Sequence, residues 1–330
     1  VDEDKEREFY NNLLYNLSKN SLYLQTAHID NKKLDLTIDN AKFTNSIQST
    51  SRAAYFASKT AELSDLSLET INVSTIMLGN EMHIINYDVA DLKISNVLPA
   101  PVIQKRIIVS SPSSVKEYKK HEFQPSVKFP IFFNNIKPDL RTHVGSPERF
   151  IYEGLGLSFQ SEVQLSRNLL FNLDIGHSFD DDFDEKNPRP ASDLPHVRTE
   201  IISYLQETDN YLTTAKFDYF WSPKPQMFFK TSIGIFEMMY AGYGMEYLYK
   251  PFKSNFLVGF ELYDVKRRTF DQNFDLLDYR VQTGHMNFTY YFENSGITLK
   301  TSYGKYLAKD KGFTFDLSRR SSNGFEAGFY

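Results

Sequence analysis

Period-two alternation of apolar and polar residues, repeated from about Val127 to the last residue, is the feature that most constrains the fold. Segment 241–250 shows it most clearly, because successive residues of a strand point to opposite faces. One face of this segment carries Ala241, Tyr243, Met245, Tyr247 and Tyr249, and the other carries Gly242, Gly244, Glu246, Leu248 and Lys250. Turn signals interrupt such runs every dozen residues or so. The pattern predicts a mainly β, antiparallel structure whose strands have one apolar face.

Aromatic residues at the strand ends point to a transmembrane β-barrel. The chain contains 28 Phe and 21 Tyr, concentrated after position 120. A large β-sandwich core also favours aromatics, so the alternation alone does not separate the two architectures. No run of about 18 apolar residues occurs, which excludes a transmembrane helix. A barrel strand needs only about 9–11 residues, and its apolar residues occupy alternate positions.

The breaks between the predicted strands differ in length according to their place in the series. If 198–221 is one long strand interrupted near Asp209, every second break is short, as at Ser222–Pro225. The two longest breaks, 180–195 and 265–278, fall in the other set. Bacterial barrels have short periplasmic turns and longer outer loops, whereas a sandwich has no reason to sort its loops in this way. The series therefore favours a barrel whose first strand runs outward from the periplasm.

About eleven strands are predicted in 126–330, and the last one runs outward and stops at Tyr330. An odd count that ends outside does not close as a bacterial barrel with both ends in the periplasm. No signal peptide precedes the first acidic residues, although an outer-membrane protein must be secreted. We therefore expect the chain to be an incomplete part of a larger barrel, and Tyr330 not to be the natural C-terminus.

Residues 1–95 have a different pattern, which predicts a small α+β domain in the order αββαββ. Phe9, Leu13 and Leu17 recur every four positions, as in a helix, and two hairpins and an alanine-rich helix follow. Residues 96–125 contain four prolines and predict a linker or an extended connecting arm. On the barrel hypothesis, the 1–95 domain lies in the periplasm and 126–330 lies in the outer membrane, in contact with lipid.

The sequence contains no motif that indicates catalysis or a cofactor. It has no nucleophile elbow, no zinc-protease motif, no phosphate-binding glycine loop, and no cysteine. A net charge of −5 leaves no basic surface for nucleic acid. His285 and Ser302 on neighbouring strands could imitate a barrel enzyme, although a histidine near a membrane interface needs no catalytic explanation. The acidic run at 180–185 could bind calcium or could be a solvated loop. We expect a protein that is not an enzyme and that has no metal or cofactor.

Polar residues in the alternate positions are candidates for the barrel lumen. If Phe217, Tyr219 and Trp221 face lipid, the opposite phase faces inward, and glycines there leave room or permit strand curvature. The predicted inward set comprises Lys216, Asp218, Lys230, Glu246, Asn255 and Glu261. These groups either line a polar conduit or pair with one another and plug the space, and the sequence does not choose between the two.

The 265–280 segment combines charged and amide side chains with Phe270, Phe274 and Tyr279. Its candidate residues are Arg267, Arg268, Asp271, Gln272 and Arg280. Planar donors and acceptors beside aromatic rings are suited to binding a polysaccharide. They are equally suited to an outer loop that packs on itself through ion pairs. Both interpretations stay open at the level of sequence.

Six segments, in this order, resemble the YjbH family. They read SDLPHVRTE at 192–200, DYFWSPKP at 218–225, MYAGYGMEYLYKP at 239–251, FDQNF at 270–274, DYRVQTGH at 278–285 and GKYLAKDKG at 304–312. The resemblance implies an outer-membrane β-barrel protein, longer than this chain, encoded with group 4 capsule and exopolysaccharide genes. It also implies periplasmic and lipoprotein partners from the same gene cluster. The family supplies no catalytic residues to carry over.

Three functions follow for comparison. The first is a barrel that gives an anionic or neutral polysaccharide a wet path across the outer membrane, with the 1–95 domain docking the periplasmic machinery. The second is a non-conducting assembly or attachment protein that binds polysaccharide through its outer loops. The third is a polymer-trimming enzyme, which the lack of a credible nucleophile disfavours. Open conductance distinguishes the first function from the second.

Overall fold

The computed structural model describes residues 3–40, 43, 46–94, 107–144, 149–185, 193, 195–321 and 325–330. The chain divides into two compact units. The first consists mainly of residues up to Lys128, and the second is built from Phe129–Trp221 and Gln226–Tyr330. Among the described residues, no helix is both long enough and apolar enough to cross a lipid bilayer.

The first unit is an α+β domain with a five-stranded sheet in the order β1-β2-β3-β4-β5. Its elements are α1 (Glu3–Ser18), β1 (Leu22–Asp30), β2 (Lys33–Asn40), α2 (Ser46–Leu63), β3 (Thr70–Met77), β4 (Asn80–Asp88), α3 (Val89–Ile94) and β5 (Ile108–Ser110). The first six follow the predicted αββαββ order. Strands β2 and β3 pair in parallel, because α2 forms the crossover between them, and the other neighbours are antiparallel.

The core of the first unit forms where the two long helices meet the sheet. The α1 residues Phe9, Leu13 and Leu17 are fully buried, as their four-residue spacing predicts. Helix α2 contributes small side chains that allow a close approach, including the buried Ala53 and Ala57. The unit therefore buries its apolar residues with its own elements.

The segment expected to be a linker contributes to this first sheet. Strand β5 pairs with β4, with Ser110 opposite Ile84. Farther on, Phe123 and Ala27 exchange two backbone hydrogen bonds, 2.8 and 3.0 Å long. The described part of 96–125 thus includes residues held in the sheet as well as connecting chain.

The second unit contains an eleven-stranded antiparallel sheet in which each strand pairs with the next along the chain. Its strands are β6 (Ile131–Val144), β7 (Ile151–Gln164), β8 (Leu169–Asp181), β9 (Asn210–Lys224), β10 (Met227–Ile235), β11 (Tyr240–Tyr249), β12 (Phe256–Arg268), β13 (Leu276–Phe292), β14 (Ile297–Lys305), β15 (Lys311–Arg320) and β16 (Glu326–Phe329). The predicted number of strands is confirmed. Strands β6 and β16 form the two edges, and no pairing joins them within the described residues.

The prediction of one long strand over 198–221 is wrong. A helix, α4 (Ile201–Glu207), follows the short 3₁₀ helix Phe183–Glu185, and β9 starts only at Asn210. Ile202 and Leu205, three residues apart, are both buried, which is helical rather than period-two spacing. The connection 182–209 is therefore longer than predicted. It lies at the same end of the sheet as 269–275, so the sorting of long connections to one end holds.

Candidate functional site on the polar face of the large sheet

The two faces of the large sheet carry different side chains. On one face, which we call the apolar face, large hydrophobic residues remain exposed to solvent. Tyr247, Phe260, Met286, Tyr303 and Phe313 are direct cross-strand partners on this face, in five consecutive strands. Phe260 is 42% exposed and Met286 is 60% exposed. The alternation predicted from the sequence thus produces an apolar row that crosses five strands.

The opposite face, which we call the polar face, carries a row of four ionisable side chains at one level. Lys230 of β10 lies opposite Glu246 of β11, which lies opposite Glu261 of β12, which lies opposite His285 of β13. We call these four residues the charged row. Three of them belong to the predicted inward set, and the register confirms that they share one face.

Ion pairing within the charged row offsets a repulsion. Glu246 and Glu261 are directly opposite, and like charges in that position are destabilising. Each carboxylate has a basic neighbour on its other side: Lys230 Nζ lies 2.6 Å from Glu246 Oε1, and His285 Nδ1 lies 2.8 Å from Glu261 Oε1. Tyr263 also donates its hydroxyl to Glu246. All four side chains of the row stay partly open to solvent.

Lys216 and Asp218 of β9 form a second polar cluster on the same face. The Asp218 carboxylate is almost completely buried, and Lys216 Nζ lies 3.1 Å from its Oδ2. Asn172 and Ser232 donate hydrogen bonds of 3.0 and 2.5 Å to its two oxygens. A buried carboxylate needs such donors, so this cluster joins β8, β9 and β10 through paired polar groups.

Asn255, the remaining predicted inward residue, lies just before β12 and outside the charged row. Its backbone carbonyl accepts a hydrogen bond of 2.7 Å from the Tyr291 amide. The residue thus belongs to the turn end of the sheet, where β11 passes into β12.

Arg268, predicted as a candidate for polymer binding, is completely buried. Its guanidinium donates hydrogen bonds of 2.7, 3.1 and 3.0 Å to the carbonyls of Leu212, Glu237 and Met238. It also donates to the carbonyls of Gln272 and Asn273. These acceptors are backbone groups of three separate segments, which Arg268 holds together. Because its side chain is buried, a polymer cannot contact it.

Gln272, a candidate in the same segment, is also buried, and its amide donates a 2.8 Å hydrogen bond to the Tyr204 carbonyl. Arg267 forms an ion pair with Glu200. Asp271 accepts hydrogen bonds from Thr269 and Asn273, which lower the pKa of its carboxyl. For these residues the structure shows the self-packing alternative, and Gln272 offers no accessible group to a ligand.

Arg280 lies on the other side of the sheet from the charged row. It pairs with Lys266, on the apolar face, and donates from Nε and one terminal nitrogen to the two oxygens of Asp264, at 2.7 and 2.6 Å. Gln282 donates to the same carboxylate. Arg280 thus lies on the apolar face, because β13 alternation turns its side chain there, and its ion pair with Asp264 agrees with the self-packing alternative for the 265–280 segment.

Helix α4 covers one end of the polar face, a feature that the sequence reading missed. Tyr204 lies in a cluster with Tyr240, Val265 and Val281, and its hydroxyl donates a 2.6 Å hydrogen bond to the Arg268 carbonyl. Burial raises the pKa of Tyr204 to about 12. The helical spacing of the apolar residues in 201–205 was the available signal, and the expectation of one long strand obscured it.

His285 and Ser302 have different hydrogen-bond partners. Ser302 lies opposite Asn287 and donates a 2.5 Å hydrogen bond to its side-chain oxygen. His285 lies opposite Gly304, and its Nδ1 is bonded to Glu261. Within the described ranges, no group of three or more His, Asp or Glu side chains is arranged to hold a metal ion. The expectations of no catalysis and no metal stay predictions.

Comparison with known proteins places the chain in a family. The family described as "Exopolysaccharide biosynthesis protein YbjH" matches residues 2–330. The chain belongs to the YjbH family. This confirms the resemblance read from the six sequence segments and associates this YjbH-family chain with exopolysaccharide production or export.

A curated relative of this YjbH-family chain is the "Uncharacterized lipoprotein YjbH" of Escherichia coli (strain K12). The two are 33% identical over 206 residues, which is 59% of this chain and 29% of the relative. The chain thus spans less than a third of the relative's length in this match. No solved structure matches the chain.

Proposed function

We propose that this YjbH-family chain forms part of an outer-membrane β-barrel that gives exopolysaccharide a polar path across the membrane. The observation that carries the proposal is the division of the large sheet into an apolar and a polar face. Soluble monomers rarely expose contiguous apolar patches larger than a few hundred Å². Lipid on the apolar face would remove this surface from water, and the polar face would then line the path.

The dimensions of the strands agree with a membrane-spanning role. A tilted barrel strand needs about 9–11 residues to cross the hydrocarbon layer. The central strands β9, β12 and β13 have 15, 13 and 17 residues, so each can cross and still extend beyond the membrane. The antiparallel order with sequential pairing is the order that such barrels use.

The polar face supplies the chemistry that a polysaccharide path requires. Carboxylates, amides and hydroxyls on this face can exchange hydrogen bonds with the hydroxyls of a passing polymer. The first unit would lie in the periplasm and dock periplasmic and lipoprotein components of the export machinery. No catalytic step is part of this function.

The second candidate function is a non-conducting protein that assembles or attaches polysaccharide, and one observation favours it. Helix α4 covers one end of the polar face and is held there by two hydrogen bonds, from the Tyr204 hydroxyl to the Arg268 carbonyl and from the Gln272 amide to the Tyr204 carbonyl. If this cover is permanent, polymer would bind at the external connections without passing through.

The experiment compares surface-exposed with cell-retained polysaccharide in a producing strain with and without the full-length gene. Export predicts that polymer accumulates inside the cell while the surface loses it. Normal surface polymer in the deletion strain would contradict export. Conductance of the full-length protein in planar bilayers then separates the candidates, since polymer binding without conductance supports attachment.

A further inference from the structure

A cavity of about 400 Å³ lies on the polar face beside the charged row, and Gly259 of β12 is one of its lining residues. This volume falls in the range of small-ligand sites, about 300–1,000 Å³. Gly259 lies between Leu248 of β11 and Asn287 of β13 in the register. The cavity therefore lies where this cross-strand row lacks a side chain, and we call it the notch.

The space at Gly259 distinguishes it from most glycines of the polar face. A Cβ at Gly242 would lie 2.1 Å from the Asp264 carbonyl oxygen, and one at Gly244 would lie 2.1 Å from the Tyr263 ring. At Gly259 the nearest atom to a Cβ would be the Tyr247 carbonyl oxygen, 3.4 Å away. Packing accounts for the first two glycines, whereas the missing side chain at Gly259 leaves a recess that a ligand can enter.

The walls of the notch combine an apolar shelf with separated polar groups. Phe228, Leu248 and Leu257 supply the apolar side. Ser302 holds the side-chain oxygen of Asn287, which leaves the amide nitrogen as a donor, 3.9 Å from the position of a Gly259 Cβ. An apolar surface beside a few placed donors and acceptors is typical of a small-ligand site, and it matches the C–H face and hydroxyl edge of a sugar ring.

The charge of the notch restricts the type of sugar. Three carboxylates border the cavity, and one of them, Asp218, forms an ion pair with Lys216 outside it. The other two are Glu246 and Glu261, and Lys230 is the cation beside them. The bonds within the charged row reach Oε1 of each glutamate, so each Oε2 remains as an acceptor for hydroxyl or ammonium groups. Two carboxylates to one ammonium repel a sugar acid.

We infer that the notch at Gly259 binds one neutral or amino-bearing sugar unit of the polymer. The inference deepens the proposed function and rests on it for the presence of polysaccharide at this face. It also restricts the charge of the polysaccharide that the path carries, because the carboxylates of Glu246 and Glu261 would repel an anionic polymer.

Binding to the full chain, folded in detergent, tests the notch by calorimetric titration with three hexamers. The probes are maltohexaose as the neutral sugar, a glucosamine hexamer as the cationic sugar, and a galacturonate hexamer as the acidic sugar. We expect the first two to bind at least about tenfold more tightly than the third, a difference of about 1.4 kcal/mol. Equal or tighter binding of the galacturonate hexamer, or no binding of any probe, overturns the inference.

Filling the notch tests its position. Gly259→Val is expected to weaken maltohexaose binding at least about tenfold. Gly312→Val is the matched control. Gly312 is also a strand glycine on this face, and a Cβ there would meet no atom nearer than the Tyr306 ring, at 3.8 Å, but Gly312 does not border the cavity. Gly259→Ala, whose Cβ fits at 3.4 Å, provides a milder variant if the valine protein does not fold. Unchanged binding in a folded Gly259→Val protein contradicts the notch.

The charge requirement has its own variants. Glu246→Gln and Glu261→Gln together are expected to improve binding of the galacturonate hexamer, because the repelling carboxylates are gone. No improvement would overturn the charge argument. The sugar-binding inference and the export proposal can fail separately. If Gly259→Val loses sugar binding but the deletion strain has normal surface polymer, export is refuted and sugar binding at the notch still stands.

Discussion

In the first unit, Phe9, Leu13 and Leu17 lie fully buried between helices and sheet, whereas in the second unit Phe260 and Met286 stay largely exposed. The second unit buries smaller apolar clusters under α4, and its largest fully buried side chain, Arg268, is charged. Apolar burial is the main favourable term in folding. The first unit therefore satisfies this requirement with its own elements, whereas the described residues of the second leave large apolar side chains uncovered on one face of its sheet.

Paired leucine substitutions test this comparison with the largest expected effect. Leu13→Ala should destabilise the first unit by about 2–5 kcal/mol, because it leaves a cavity in a closed core. Leu157→Ala, at a half-exposed leucine on the apolar face, is the matched control and should cost far less in detergent. Urea unfolding in detergent measures both variants: the helical circular dichroism signal reports mainly on the first unit, which contains the long helices, and the fluorescence of Trp221 reports on the second. Equal losses would show that the two leucines have similar surroundings.

Adjacent charge substitutions on β12 test the two faces of the second unit. Phe260→Arg should destabilise the protein in a lipid bilayer by about 2–4 kcal/mol, as at a lipid-facing site near the midplane. Glu261→Arg, one residue further and on the polar face, should cost much less. Reversible unfolding from bilayers measures both. Similar costs at the two positions would refute the assignment of the apolar face to lipid.

Removing one hydroxyl from α4 tests how this helix is held on the polar face of the second unit. Tyr204→Phe should destabilise the packing of α4 by about 1–2 kcal/mol, because the buried Arg268 carbonyl loses its donor. Hydrogen exchange of the α4 amides should increase, while exchange in β14 and β15 should not. A uniform increase across the sheet would indicate that α4 is part of the global fold rather than a separable cover.

A smaller effect on the free energy of unfolding is expected at high pH, where the buried tyrosines of the first unit ionise. Burial raises the pKa of Tyr87 from 10.0 to about 12, and its hydroxyl lies 2.7 Å from that of Thr50. The folded state holds this proton more tightly than the unfolded state. The contribution of Tyr87 to the free energy of unfolding is therefore complete below pH 10 and is lost as the pH rises towards 12.

Comparison of urea midpoints at pH 9 and pH 11.5 checks this, with Tyr87→Phe as the control. The substitution should reduce the loss of stability at the higher pH. It should not abolish that loss, because burial raises the pKa of Tyr10 to about 12 in the same core. An identical loss in the variant would show that Tyr87 ionises equally easily in both states.

Local patterns predicted most of the elements correctly. The αββαββ order, the eleven strands and the common face of Lys230, Glu246 and Glu261 follow from periods of 3.6 and 2 residues, which neighbouring residues determine. The failure concerns 198–221, because a segment predicted as one strand contains α4. For Arg280 the sequence left two alternatives open, and the ion pair with Asp264 agrees with self-packing.

The sequence by itself determined that the large sheet has two unlike faces, because alternation is a property of adjacent residues. Only the tertiary structure decided what each polar residue does. The five carbonyls around Arg268 come from 212, 237–238 and 272–273, which are far apart in sequence, and only folding brings them together. The same holds for the space at Gly259, since whether a missing side chain leaves a notch depends on what its neighbours on other strands fill.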